Sequence, residues 1–392
     1  MSIPSTLLGD LSPEQFLNEY WQKKPLLVRG ALPAFESPLE PGELAGLACE
    51  EDIESRLILE DGGEAPWELR MGPFEEEDFL NLPPTRWTVL VQEVDRLIPA
   101  VADLLDAFAF VPKWRIDDMM VSYAPEHGNV GAHIDNYDVF LLQGLGTRRW
   151  EWGETPIHDE EIVPDLDVRM LAEFEADREA VLEPGDMLYL PPRFAHHGVS
   201  MDDQCMTYSV GFRAPSHEDL IAAFMQDVLE QVDPDDRYGD PGLSLPDHPG
   251  EISEQALNKV RSLFRQFTED DDAIARWFGA YVTEPRRDRF AMPRSEEMNT
   301  DTLTAAIQDG DGLRRGASSN LAFMHDANGV TLFANGAAYE LDASVAPAAP
   351  LLTDTEVIEA DALRPHLNNE AFTALLLHLV NEGLLELTSE VA

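Results

Sequence analysis

The residues with the clearest chemical potential are a histidine and an aspartate that stand two positions apart, His133 and Asp135. They precede an apolar run at 139–142, so the pattern predicts an extended strand over 133–143, in which residues two apart point to the same face. One face of one strand therefore offers an imidazole and a carboxylate. Both are common ligands of transition metals in proteins.

A third ligand is expected from a later strand. The segment 182–200 contains a turn, a short apolar strand and the adjacent pair His196 and His197. Because neighbours on a strand face opposite ways, only one of the two points into a barrel. We assign His196 to the metal and His197 to a supporting or surface position. Two imidazoles and one carboxylate leave three octahedral positions open, which suits Fe(II) with a bidentate co-substrate and dioxygen better than zinc.

A cation suited to a dicarboxylate follows the turn at 144–146. An open iron site needs a source of electrons, and the dicarboxylate 2-oxoglutarate would need a buried cation for its far end. Arg148 shares a strand face with Trp150, and a guanidinium binds a carboxylate through two parallel hydrogen bonds. Arg149 points the other way and is expected at the solvent-exposed edge. Ser122 and Tyr123, on the preceding strand, are hydroxyl donors that could reach the same carboxylate.

Three segments carry a family resemblance: FLNEYWQKKPLLVRGAL at 16–32, HIDNYDVFLLQGLGTRRWEWG at 133–153, and LEPGDMLYLPPRFAHHG at 182–198 followed by YSVGFRAPS at 208–216. They resemble the bacterial ribosomal oxygenases, which are JmjC-type members of the cupin superfamily. The resemblance extends over the whole chain and is specific up to about Ser216. The sequence departs from the family at PEHGNVGAH, where Glu126 and His127 alter the loop beside the entrance and thereby the details of substrate binding.

The resemblance implies an enzyme that depends on Fe(II), 2-oxoglutarate and dioxygen. Its implied substrate is an arginine of large-subunit ribosomal protein sixteen, which it would hydroxylate at carbon 3. The resemblance further implies that His133, Asp135 and His196 are the catalytic iron ligands and that Arg148 and Ser122 bind the co-substrate.

Other functions remain open from the sequence. A related JmjC hydroxylase would act on a histidine or on RNA. A cupin-like scaffold would bind metal or a ribosome without turnover, although the combination of the three ligands with Arg148 is needed together only for catalysis. A metal-dependent isomerase of the wider cupin group fits less well, because such sites usually carry more histidines.

The charge of the chain is unusual. Its 392 residues include 27 basic and 75 acidic ones, which gives a net charge of −48 at pH 7. Such a surface repels nucleic acid and membrane phosphates. The acids occur in every segment, which favours adaptation to a salty cytoplasm over a site built for one basic partner. A basic ribosomal protein would still be attracted.

The sequence gives no sign of export or of disulfides. It contains no apolar run long enough to span a bilayer and does not begin like a signal peptide, so we expect a cytoplasmic protein without membrane contact. Cys49 and Cys205 are isolated, which predicts neither a disulfide framework nor a zinc knuckle.

Residues 1–215 are expected to form the catalytic domain. Ser12, Pro13 and Gln15 have the pattern of a capping box that opens an amphipathic helix. Apolar runs at 118–124, 133–143, 147–152, 181–190 and 206–212 predict an antiparallel barrel of two sheets, the jelly-roll or double-stranded β-helix of the cupins. A long acidic insertion at 153–180, with a helical stretch near 167–178, is expected to shape the binding mouth.

The rest of the chain predicts two further parts, so the fold class is α+β. Amphipathic helices at 217–232, 253–267 and 271–282 lie in a segment, 216–290, that we expect to be a helical module for homodimerisation. Residues 291–392 combine helices with two apolar strands and a final strand, as in a winged helix. This part contains no lysine and no basic stripe, so direct DNA binding is not expected.

Overall fold

The structure is a computed structural model that describes residues 4–60, 67–245, 247–285, 290–326 and 329–390. The chain forms two compact units. The first holds the described residues up to Ala214 together with Asp354–Glu356, and the second holds Pro215–Thr353 and the described residues from Val357 onward. Among the helices in these ranges, none is both long and apolar enough to cross a membrane.

The first unit is a sheet-rich domain with short helices. Its helices are α1 (Pro13–Glu19), α2 (Pro41–Leu47), α3 (Glu76–Leu80), α4 (Val94–Leu97) and α5 (Pro99–Leu105). Its strands are β1 (Leu26–Val28), β2 (Ser55–Glu60), β3 (Trp67–Met71), β4 (Trp87–Val91), β5 (Ile116–Ala124), β6 (Val139–Leu145), β7 (Arg148–Pro156), β8 (Arg178–Leu182), β9 (Met187–Leu190), β10 (Phe194–Ser200) and β11 (Cys205–Phe212).

These strands pair antiparallel in two sheets. The larger has the order β1-β9-β6-β11-β5-β4-β2-β3, and the smaller has the order β10-β7-β8. A cluster of buried apolar side chains draws on both sheets, with Leu141 and Leu188 from the larger and Trp150, Trp152 and Leu182 from the smaller. The two sheets therefore face each other across a common interior, as the predicted two-sheet barrel requires.

The two faces of the larger sheet have different chemistry. Large side chains such as Phe140 and Tyr189 point outward and pack around Phe16 of α1, whose ring centroid lies 5.6 and 4.9 Å from theirs. The predicted capping box begins this helix, since the backbone N–H of Gln15 donates to Ser12 Oγ at 3.1 Å. The opposite face of the sheet lines the barrel, and small polar residues are concentrated there.

A buried carboxylate ties the N-terminal segment to the barrel. Asp138 is fully buried and accepts hydrogen bonds from the Tyr189 hydroxyl at 2.5 Å and from Gln22 Nε2 at 2.9 Å. An Arg115 guanidinium nitrogen lies 3.7 Å away. Hydrogen bonds to a charged group are stronger than those between neutral partners, and they are costly to lose in the interior.

The change Asp138→Asn is therefore expected to lower the free energy of unfolding by about 2 kcal/mol, because an amide nitrogen would face a donor and the charge would be lost. Denaturant unfolding of both proteins measures the difference. Asp159→Asn, which makes the same change at an exposed position, is the control and should leave the midpoint within error. Equal destabilisation by both changes would show that the buried network does not matter.

The insertion between β7 and β8 differs from the prediction. The helical stretch expected near 167–178 is wrong: this segment is irregular, and an isolated bridge pairs Ile162 with Leu171. The backbone N–H groups of Leu171 and Ala172 do not form helical hydrogen bonds. They donate to the backbone carbonyls of Ala132 and Glu161 respectively. The pairing of Leu171 with Ala132 places the insertion next to the loop that leads to His133.

The second unit begins with three helices, α6 (His217–Gln231), α7 (Glu254–Thr268) and α8 (Asp271–Thr283), as predicted. The further helices are α9 (Thr300–Asp309), α10 (Ala349–Thr353), α11 (Ala360–Leu363) and α12 (Glu370–Asn381). Its strands are β12 (Leu313–Arg315), β13 (Leu321–Asp326), β14 (Gly329–Ala334), β15 (Ala337–Leu341), β16 (Val357–Ile358) and β17 (Leu385–Leu387).

These strands form the sheets β16-β12-β17 and β13-β14-β15. The turn at Asn335 and Gly336, predicted from its sequence, joins β14 to β15 with positive φ angles of 46° and 84°. The other predicted turn, at 326–329, includes Ala327 and Asn328, which lie outside the described residues. Helix α8 packs closely on β14, because a Cβ on Gly279 would stand only 2.3 Å from the Phe333 ring.

Candidate active site

A pair of backbone hydrogen bonds brings His133 and His196 together. The two residues form an isolated antiparallel bridge in which each N–H donates to the carbonyl of the other at 3.0 Å. Their rings lie 4.2 Å apart between centroids. The strand predicted over 133–143 is wrong in its first half, since β6 begins only at Val139. The bridge to β10, rather than one continuous strand, positions His133.

Asp135 completes the cluster from the turn after the bridge. Its backbone carbonyl accepts a hydrogen bond of 2.7 Å from the N–H of Arg193, which holds the turn against the start of β10. Its Oδ2 lies 3.6 Å from His196 Nε2. One ligand atom from each of His133, Asp135 and His196 lies within 4.8 Å of the other two. The three residues predicted as metal ligands thus meet in space.

The histidine tautomers suit metal binding. His133 Nδ1 lies 3.0 Å from the carbonyl of Gly131, and His196 Nδ1 lies 3.0 Å from the carbonyl of Phe194. A ring nitrogen that faces a carbonyl carries the proton, which leaves Nε2 of each ring as the lone-pair donor. Burial, together with the smaller effect of the neighbouring His133, lowers the pKa of His196 to about 4. His196 is therefore neutral at physiological pH, the form that binds a metal.

His197 faces away from this cluster. Its Nδ1 lies 3.4 Å from a Glu151 carboxylate oxygen, and its Nε2 lies 3.2 Å from Asn129 Oδ1. Burial lowers the pKa of His197, while the Glu151 carboxylate opposes that shift. The structure separates the two adjacent histidines as the strand alternation requires.

Arg148 is buried in the barrel near the cluster, with 3% of its surface exposed. Its Nε donates to Cys205 Sγ at 3.2 Å, and its guanidinium lies over the ring of Trp150, 5.7 Å from the centroid. Its Nη2 is buried and has no hydrogen-bond partner among the described residues. Arg149, on the other face of the strand, pairs at 3.5 Å with Glu151 and has a side chain that is 41% exposed.

Ser122 lies on the inner face of β5, directly opposite Thr207 of β11. Thr207 donates to Gln143 Oε1 at 3.1 Å, and Gln143 Nε2 in turn lies 3.4 Å from Cys205 Sγ. Since Cys205 also accepts from Arg148, these hydroxyl, amide and thiol groups form one connected polar patch that reaches Arg148 through Cys205. A buried cation with free donor capacity beside a hydroxyl is suited to a carboxylate.

Comparison with known proteins identifies the family. A model of the JmjC domain matches residues 103–220, and a model of the ROXA-like winged helix matches residues 266–386. The ribosomal protein uL16 3-hydroxylase of Escherichia coli is 34% identical over 368 residues, which are 94% of this chain and 95% of that protein. The chain belongs to the bacterial ribosomal oxygenases. Both the family resemblance and the fold class predicted from the sequence are confirmed, including the winged helix.

A further relative of this ribosomal oxygenase and a solved structure extend the match. A probable ribosomal oxygenase of Haemophilus influenzae is 34% identical over 342 residues, 86% of this chain and 84% of its own. The structure of YcfD, a ribosomal oxygenase from Escherichia coli, in complex with cobalt and 2-oxoglutarate superposes with a TM-score of 0.83 at 33% identity. That match covers 96% of this chain and 98% of the other.

The ribosomal oxygenase fold brings residues into the site that the sequence analysis did not single out. Gln143, Cys205 and Thr207 line the polar patch, and only their strand pairing reveals it. The sequence of β11 did contain a pattern that indicates a polar interior face: the small residues at 205, 207 and 209 alternate with Met206, Tyr208 and Val210, which are larger. This alternation marks a face that leaves room for something other than core packing.

Tyr137 is a second feature that the sequence analysis missed. Tyr137 is 42% exposed, yet the partial burial of its hydroxyl and the carboxylates of Asp135 and Asp118 raise its pKa above the ordinary value, so the hydroxyl stays protonated. A Cβ built on Gly211 would lie 3.6 Å from Asp118 Oδ1 and 4.0 Å from the Tyr137 ring, so the two side chains flank this glycine. The Tyr137 side chain thus stands beside Asp135, one of the three candidate metal ligands.

The residues present fit an iron ion and a dicarboxylate. Two imidazoles and one carboxylate match the ligand set of non-haem Fe(II) enzymes that keep open positions. The unpartnered Nη2 of Arg148 is the kind of buried donor that an anionic ligand would satisfy.

Proposed function

We propose that this chain is a Fe(II)- and 2-oxoglutarate-dependent hydroxylase of a ribosomal protein. The observation that carries the proposal is the His133, Asp135 and His196 cluster in the same barrel as a buried arginine with free donor capacity. The Escherichia coli relative is a uL16 3-hydroxylase. The structure of YcfD, a ribosomal oxygenase, contains cobalt and 2-oxoglutarate. We infer the same reaction here, 3-hydroxylation of an arginine in large-subunit ribosomal protein uL16.

In this proposal His133 Nε2, His196 Nε2 and the Asp135 carboxylate hold the iron, while Arg148 and Ser122 hold the far carboxylate of 2-oxoglutarate. When bound, iron together with 2-oxoglutarate and dioxygen supplies an oxidant strong enough for an unactivated C–H bond. The protein contributes position and a water-poor pocket. The apolar wall of Leu141, Leu188 and Trp152 keeps water from the interior around these groups.

The charge of the protein supports a basic protein substrate. The net charge of −48 repels RNA and attracts ribosomal proteins, which are basic as a class. Tyr137, beside Asp135, offers an aromatic face to a guanidinium, and the Asp118 carboxylate lies next to the same glycine, Gly211. This argues for an arginine rather than a histidine or a nucleotide.

The test is a peptide hydroxylation assay. The protein is incubated with Fe(II), 2-oxoglutarate and peptides that cover uL16 and other basic ribosomal proteins, and both succinate and the peptide mass are measured. We expect one uL16 peptide to gain a single oxygen on arginine in step with succinate release. Hydroxylation of a histidine peptide or of RNA would show that the substrate assignment is wrong. Metal binding without any turnover would show that the protein is a metal-binding scaffold and not an enzyme.

We further propose the division 1–215 for the catalytic domain, 216–290 for a helical dimerisation module and 291–392 for the winged-helix part. The winged helix has no lysine and is assigned a structural or protein-contacting role rather than DNA binding. A ribosomal substrate is consistent with the cytoplasmic location predicted from the sequence.

The homodimer is proposed from the exposed face of α7. Its Leu257, Val260, Leu263 and Phe264 are between 38% and 55% exposed, and no residue of the helix is buried. The helix also carries Lys259 and two arginines against a single acid, Glu254, in a strongly acidic chain. The exposed apolar side chains can pack against the same helix of a second copy, and the basic side chains can pair with acidic residues on the surface of that copy.

The change Leu263→Glu is therefore expected to convert the dimer into a monomer, because it buries a charge in the apolar interface. Sedimentation velocity measures the outcome. Ser262→Glu adds the same charge at the neighbouring position of the helix and serves as the control, which should remain dimeric. A wild-type protein that is monomeric at micromolar concentration would refute the proposal.

A further inference from the structure

Two buried donors on one strand face lack acceptors. Arg148 and Trp150 stand two residues apart on β7 and so point to the same side, into the barrel. Arg148 Nη2 and Trp150 Nε1 are both buried without a hydrogen-bond partner among the described residues. Arg148 is 3% exposed and Trp150 is 5% exposed. Buried polar groups are almost always satisfied, so a pair of unsatisfied donors indicates a missing acceptor.

The packing of Trp150 shows which part of its ring is available. A Cβ built on Gly198 would stand 2.6 to 2.8 Å from Cε3, Cζ3 and Cη2 of the indole, which all belong to the six-membered ring. The glycine on β10 therefore makes room for the benzo half. The pyrrole half, which carries Nε1, lies away from these closest contacts with β10.

Trp150 also stands between the two ends of the proposed site. The Arg148 guanidinium lies 5.7 Å from its ring centroid, and the His196 ring centroid lies 5.9 Å from the Trp150 ring. The indole thus adjoins both the cation expected to bind the far carboxylate and a metal-ligand histidine. A ligand that reaches from one to the other therefore lies close to the indole.

We propose that the Trp150 indole N–H is a direct ligand of the co-substrate and donates to the carboxylate that Arg148 binds. This inference rests on the proposed function, since it assumes that a dicarboxylate occupies the barrel. An indole N–H can only donate a hydrogen bond and an ionised carboxylate can only accept one, so the two groups are complementary. One carboxylate has enough lone pairs to satisfy both Arg148 Nη2 and Trp150 Nε1.

The test is the change Trp150→Phe, which keeps an aromatic ring and removes the N–H. The full chain is loaded with Co²⁺, the metal in the Escherichia coli complex, and the affinity for 2-oxoglutarate and for succinate is measured by calorimetry. We expect both to bind on the order of tenfold more weakly, as for the loss of one hydrogen bond to a charged group.

A second readout separates ligand binding from a structural role. Without ligand, Trp150→Phe should lose only a little melting temperature, because the smaller ring leaves space beside Gly198 unfilled while removal of an unsatisfied buried donor offsets part of that cost. The rise in melting temperature on adding 2-oxoglutarate should shrink. The matched control is Trp87→Phe, whose indole donates to the Pro83 carbonyl at 2.8 Å, and which should lower the melting temperature without weakening ligand binding.

Equal affinity of wild type and Trp150→Phe would overturn the inference and leave the proposed function standing. A large loss of melting temperature in ligand-free Trp150→Phe, without a change in ligand affinity, would also overturn it and assign the indole to packing. If the wild type itself binds neither 2-oxoglutarate nor succinate, the proposed function fails first.

Discussion

His133→Ala is expected to abolish turnover. The change removes one of three ligand side chains, and the remaining Asp135 and His196 would hold iron too weakly for catalysis. Loss even of groups that only support metal ligands typically lowers metal affinity or activity ten- to a hundredfold, so loss of a ligand should exceed about a hundredfold. Succinate release and the iron content of the purified protein measure the effect.

His197→Ala is the matched control for this experiment. It removes the same side chain close to the cluster, but its imidazole contacts Glu151 and Asn129 instead. We expect this variant to bind iron with the stoichiometry of the wild type and to stay within severalfold of its rate. If His133→Ala retained full activity, or if His197→Ala lost iron as His133→Ala does, the ligand assignment would be wrong.

Arg148→Ala should raise the concentration of 2-oxoglutarate needed for half-maximal rate. Truncating one member of a buried charge pair costs about 2 to 5 kcal/mol of binding, or roughly thirtyfold to several thousandfold. At saturating 2-oxoglutarate the rate should recover in part, because the metal ligands are intact. A titration of initial rate against 2-oxoglutarate concentration separates this effect from a loss of iron.

The neighbouring arginine provides the control. Arg149→Ala removes a side chain of the same type from the opposite face of β7, where it pairs with Glu151. Its 2-oxoglutarate requirement should match the wild type. An Arg148→Ala enzyme with an unchanged requirement would remove Arg148 from the co-substrate site.

The parts of the fold that were predictable are those with a strong local pattern. The capping box of Ser12 and Gln15 sits where its spacing placed it, and the amphipathic helices of the second unit follow their apolar periodicity. The alternation of β10 separated His196 from His197 correctly, since two adjacent strand residues face opposite ways.

The errors arose where long-range contacts override local pattern. Asp135 lies outside any strand because Arg193, far along the chain, binds its carbonyl and holds the turn. The segment 167–178 looked helical, yet Leu171 pairs with Ala132 and Ile162 instead. Propensity is a weak guide in such places, since tertiary hydrogen bonds decide the conformation.

The polar patch next to Arg148 could not be predicted from the sequence, because it too is formed by long-range contacts. Gln143, Cys205 and Thr207 become neighbours only through the pairing of β11 with β6 and through the closure of the barrel by β7. A glutamine, a cysteine and a threonine have no distinctive spacing, so nothing in the sequence marked them as partners of Arg148.

The most direct test of the central claim is to run the reaction with uL16 under dioxygen enriched in a heavy oxygen isotope. We expect one heavy oxygen atom on an arginine of uL16 and the other in succinate, in equal amounts, and both signals should vanish in His133→Ala. Succinate release with no labelled uL16, or labelled uL16 from the His133→Ala protein, would contradict the account.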